Sequence, residues 1–78
     1  MDLIKTTLVK LAAEKIADFA EAIKDEKYLV ASMYEGEAET LIFTIEQFDK
    51  LISDGLYKLL RDSSTYEYDC WWYRNVHI

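Results

Sequence analysis

Cys70 and His77 are the side chains best suited to nucleophilic, redox or metal chemistry in this sequence, and each type occurs once. A zinc site needs several such ligands at set spacings, and a Cys seven positions before a His matches none of them. On an extended strand that odd separation would also send the two to opposite faces. Nucleophilic attack by Cys70, Ser63 or Ser64 needs a general base alongside, and the one imidazole sits at position 77, where a frayed end preorganises little. Carboxylates are plentiful but fall where solvent is expected, and solvated carboxylates keep ordinary acidity. No glycine-rich phosphate loop is present. These residues argue against an enzyme and call for no cofactor and no metal.

Two other features are left to explain. The stretch "YEYDCWWYRNVHI" brings Tyr66, Tyr68, Trp71, Trp72 and Tyr73 close together. The charge of −6 is also concentrated: residues 31–54 hold Glu35, Glu37, Glu39, Glu46, Asp49 and Asp54 against Lys50 alone, a net of −5. Aromatic side chains can stack on bases, but only Arg74 lies near these rings, and single-strand binders place such rings in a basic groove. Direct nucleic-acid binding is therefore not expected. A focused negative patch instead attracts basic surfaces on other proteins.

Composition bounds the scaffold that must position these groups. Seventy-eight residues, 51% of them hydrophobic, with two Gly and no Pro, suit one small acidic globular domain over 1–78. A lone Cys excludes an intrachain disulfide, and no apolar run has the length of a signal peptide or membrane span, so a cytoplasmic protein is expected. Neither helical stretch carries a basic polar face that would bind a membrane surface.

Ile4, Leu8, Leu11, Ala12, Ile16, Phe19 and Ile23 recur at three- and four-residue steps, which predicts a helix over 3–25 with Asp2 as N-cap. Glu14, Asp18, Glu21 and Asp25 would form its solvated strip. Aromatic and β-branched runs on either side of Gly36 predict a hairpin with strands near 27–34 and 39–45. Thr44 and Gln47 have the form of a capping box, opening a second helix near 45–61 through Phe48, Ile52, Leu56 and Leu59. Gly55 interrupts that period without shifting it. Residues 65–76 read as a last strand, with Cys70 and Trp72 on its inner face and Trp71 and Tyr73 outward. The expected fold is α+β, in the order α-β-β-α-β, with two helices on one face of a three-stranded, largely antiparallel sheet. Its expected core is Leu8, Ile16, Phe19, Leu41, Phe43, Phe48, Ile52, Leu59 and Trp72.

On that frame Glu35, Glu37, Glu39, Glu46 and Asp49 would make one negative patch, with Tyr34, Trp71 and Tyr73 as aromatic anchors. The expected function is a small acidic protein-binding module that inhibits or modulates a larger basic protein, such as a nuclease or other nucleic-acid-binding complex. The alternative is a structural, self-associating subunit whose aromatic face pairs with a second copy. In size, charge and lack of motifs the chain is similar to the small acidic proteins by which phages disable host nucleases or CRISPR complexes. That resemblance implies a nucleic-acid mimic or anti-CRISPR inhibitor acting in the host cytoplasm.

Overall fold

The computed structural model describes residues 3–77 and contains four helices: α1 Leu3–Lys24, α2 Tyr28–Glu46, α3 Lys50–Asp62 and α4 Tyr66–Asn75. No strand occurs among the described residues. The α+β expectation is therefore corrected to an all-helical fold. Both predicted strand regions are helical, and the two errors are linked. Once 28–46 is a helix, a strand at 65–76 would have no neighbour to receive its backbone hydrogen bonds.

α1 agrees with its sequence pattern, while its expected cap Asp2 lies outside the described residues. It ends on Glu26, which adopts a left-handed φ of 58°. There the Glu26 N–H donates to the Ile23 carbonyl at 3.0 Å and the Lys27 N–H to the Ala22 carbonyl at 2.9 Å. That pair of bonds is the Schellman arrangement usually built on glycine. It turns the chain within three residues, and α2 returns antiparallel to α1.

Ala31, Glu35, Ala38, Ile42 and Ile45 are the buried row of α2, at alternating steps of four and three. Ala31, Ala38 and Ile42 of this row share one core with Ile16, Phe19, Ala22 and Ile23 of α1. Alanines on both sides let the two helices pack closely. Gly36, expected in a turn, has no positive φ, and a Cβ added there would meet nothing within 4 Å. Thr40 and Thr44 settle into the helix by donating their hydroxyls to the Gly36 and Thr40 carbonyls, at 3.0 and 2.9 Å. Thr44 is therefore inside α2 and caps nothing.

The cap of α3 is Asp49, whose Oδ1 accepts from the Ile52 N–H at 3.2 Å. The helix begins about five residues later than expected and then runs unbroken through Gly55. Its buried residues are Ser53 and Leu60, with Leu56 packed against the core. The inward face is thus rotated by about one position from the expected Phe48–Ile52–Leu56–Leu59 row. Phe43, Phe48 and Leu59, all expected in the core, are 59%, 53% and 51% exposed. Leu8, Leu41, Ile52 and Trp72 are only partly buried. Of the expected core, Ile16 and Phe19 are fully buried.

α4 opens on Thr65, whose Oγ1 accepts from the Tyr68 N–H at 3.2 Å. Glu67 and Asp69 in its first turn and Arg74 in its last complement the helix dipole. In a helix, Tyr68, Trp71 and Trp72 share a face, and that face docks on the core. The Tyr68 ring meets Phe19 edge-on at 5.4 Å and Tyr28 at 5.7 Å. Cys70, expected inside, is half-buried. The molecule measures 42 × 23 × 17 Å. Its surface of 5425 Å² exceeds the roughly 4,900 Å² typical of this mass. Exposed apolar side chains such as Phe48, Leu51 and Leu59 contribute to that excess.

Candidate functional site

The polar centre of the molecule is Glu35, only 8% exposed although it carries a carboxylate. Its position in the inward row of α2 puts it where α3 ends and α4 begins. Oε1 accepts from the Tyr68 hydroxyl at 2.7 Å, and Oε2 accepts from Arg61 Nη1 at 3.2 Å. Arg61 Nη2 also lies 3.8 Å from Asp69 Oδ1, which in turn accepts from the Ser64 hydroxyl at 2.9 Å. Burial, reinforced by the adjacent Glu35 carboxylate, pushes the Tyr68 hydroxyl far above the usual tyrosine range. It therefore remains a proton donor at any ordinary pH. This network ties α2, α3 and α4 together and leaves no buried side-chain polar atom unsatisfied among the described residues.

Beside it opens a cleft of about 430 Å³, lined by Ser32, Glu35, Gly36 and Glu39 of α2, Arg61 of α3, and Tyr68, Asp69, Trp72 and Tyr73 of α4. Gly36 leaves its part of the lining open, since no side chain projects from it. Glu39 differs from the other four acids expected in the patch. Among the described residues it has no Lys or Arg nitrogen within 4.0 Å, whereas Glu35, Glu37, Glu46 and Asp49 each have one. Partial burial and the nearby charge of Glu35 raise the pKa of the Glu39 carboxyl above its ordinary value, with Arg61 offsetting part of the rise. The cleft holds three carboxylates against one guanidinium and is walled by Trp72 and Tyr73. It can accept a positive charge.

The helix separates the acids expected to form one patch. Glu35 and Glu39 line the cleft, and Glu46 lines a neighbouring groove with Phe43, Asp54 and Tyr57. Glu37 points the other way and pairs with Lys15 of α1 at 3.1 Å, while Lys15 also lies over the Tyr34 ring, 5.5 Å from its centre. Tyr34 is half-buried against the core. Asp49 caps α3 and pairs with Lys5 at 3.3 Å. The Ile52 N–H, followed by Lys5, holds its carboxyl below the usual range. Trp71 is half-buried and stacks on Tyr68 at 6.0 Å, while Tyr73 is 65% exposed at the cleft rim.

Arg61, Ser64, Tyr68, Asp69 and Trp72 were not among the expected site residues. Glu35 and Arg61 are 26 positions apart, and no local pattern links them. The signal for α4 was present, however, in Thr65 followed by two early acids and a late arginine.

Among the described residues no three His, Cys, Asp or Glu side chains are grouped to hold a metal ion, and no helix is long and apolar enough to cross a membrane. No protein-family model, curated protein or solved structure matches the chain.

Proposed function

We propose that the chain is a small acidic protein-binding module that inhibits or modulates a larger cytoplasmic protein with a basic surface, of the nuclease or nucleic-acid-binding kind. The observation that carries this reading is the excess of carboxylate over cation in the cleft, beside two accessible aromatic side chains. Glu39 in the cleft supplies the main attraction, with Glu46 in the neighbouring groove adding negative charge, and Tyr73 and Trp72 supply the area that becomes buried on contact. A basic surface that docks here adds to the partial compensation that Arg61 gives Glu39.

The test is to immobilise the wild-type chain and a Glu39→Gln/Glu46→Gln variant, offer each the same set of purified nucleic-acid-binding proteins, and titrate any retained one at rising salt. Retention that weakens with salt and with the substitutions is expected. Retention indifferent to both, or none, overturns the reading.

A second reading has its own observation. Leu51 and Leu59 are exposed on α3 and Phe48 in the turn before it, a composition suited to pairing with a second copy. Light scattering at increasing concentration separates a self-associating subunit from a monomeric module.

A further inference from the structure

We propose that the cleft between α2, α3 and α4 is a socket for a single arginine side chain of a protein partner, held between Glu39 and the rings of Trp72 and Tyr73. This inference rests on the protein-binding reading above and names the group that the module grips.

Four observations converge on a guanidinium. First, the lining supplies both of the groups it prefers: a carboxylate, which takes its planar fork in paired hydrogen bonds, and the aromatic rings of Trp72 and Tyr73, of which Trp72 carries His77 on one face and leaves the other for stacking. Second, the site already accommodates one guanidinium. Arg61 lies along the cleft and bridges Glu35 and Asp69 at 3.2 and 3.8 Å. Third, Arg61 is committed to those two carboxylates, and Glu39 is left outside every ion pair among the described residues. A second cation therefore meets an acid that Arg61 influences from a distance but that forms no ion pair among the described residues. Fourth, a space of about 430 Å³ lies toward the lower end of ligand cavities, which run from roughly 300 to 1,000 Å³, and so suits a side chain better than a large cofactor.

An ammonium would satisfy the charge but not the shape. Lysine presents a compact, strongly hydrated point charge that neither stacks nor forks, so it gains less from the ring walls. The attached backbone would lie across the rim formed by Ser32, Gly36 and Tyr73, where Gly36 offers no obstruction.

The experiment uses three blocked tripeptides, Gly-Arg-Gly, Gly-Lys-Gly and Gly-citrulline-Gly, each titrated at low salt into the isotope-labelled chain. The Trp72 indole N–H and the amides of 32–39 and 69–73 are followed by NMR. The arginine peptide should move these signals together along one saturating curve. The lysine peptide should bind several-fold more weakly, and citrulline, the neutral isostere, should leave them in place. Glu39→Gln should weaken arginine binding about tenfold, as expected for loss of a charge-assisted pair. Tyr73→Ala, at an exposed position, should weaken it several-fold, and Glu37→Gln on the far side of α2 should not change it. Equal binding of the citrulline peptide, shifts centred elsewhere, or no response to arginine overturns the socket. A basic protein that binds with no effect of Glu39→Gln also overturns the socket while leaving the module reading in place. Arginine uptake in the cleft with no basic protein retained would do the reverse.

Discussion

Replacing Tyr68 by Phe isolates the contact on which the site depends. The ring keeps its buried place and its packing against Phe19 and Trp71, and only the hydroxyl is lost. That hydroxyl donates to Glu35 at 2.7 Å, within a core where the carboxylate has little access to water. Hydrogen bonds to charged groups contribute about 1.5–3 kcal/mol, and Glu35 retains only Arg61 once this one is gone. A loss of about 2 kcal/mol lowers Tm by roughly 8–16 °C in a domain of this size. Thermal unfolding followed by far-UV circular dichroism at neutral pH measures it, and a cycle with Glu35→Gln gives the coupling between the two side chains. The alkaline limb gives a second check. The unfolded chain loses tyrosine protons near pH ~10, while folded Tyr68 keeps its proton, so the folded state binds more protons and stability falls as pH rises through that range. Tyr68→Phe should make the fall shallower, the remainder coming from the other tyrosines. A Tm within about 2 °C of wild type, with unchanged alkaline behaviour, would falsify the hydroxyl–carboxylate contact.

Other perturbations have equally definite outcomes. Gly36→Ala should raise stability by about 0.5–1 kcal/mol, because the position is helical and its Cβ meets nothing; a loss in chemical denaturation would point to a turn instead. Glu26→Gly should stabilise by roughly 0.5–1 kcal/mol through relief of the left-handed backbone, again read from the denaturation midpoint. Phe19→Ala should cost about 3–5 kcal/mol, whereas Phe43→Ala and Phe48→Ala should change stability far less; similar losses at all three would restore the core expected from the sequence. Glu39→Gln should raise Tm at neutral pH. The folded carboxyl binds its proton more tightly than the unfolded one, so the Glu39 contribution to stability rises as pH falls toward ~4, and the advantage of the variant should shrink there.

The sequence revealed the span of α1 almost to the residue, because the large apolar side chains Leu8, Ile16, Phe19 and Ile23 recur at helical steps on the same side as the buried Ala12 and Ala22. α2 was obscure for the opposite reason. Its buried row contains two alanines and a glutamate, while Val30 and Phe43 lie outward, so apolar type and burial point to different faces. The alternation Leu41, Phe43, Ile45 then suggested a strand that the backbone does not form. In α3 the pattern identified a helix but chose the wrong face, since Phe48 and Leu59 are more apolar than the buried Ser53. The acids of 31–54 stand out in the sequence, yet only a helix separates Glu35 and Glu39 from Glu37. Long-range pairs such as Glu35 with Arg61 and Tyr68 exist only after the fold brings them together.

The most direct test is NMR of residues 66–75. Helical secondary shifts are expected throughout that segment, together with ring contacts from Tyr68 to Phe19 and Tyr28 that place α4 across the end of the α1–α2 pair. Extended shifts in 66–75, or a Tyr68 ring without those contacts, would contradict the docking of α4, and with it the cleft.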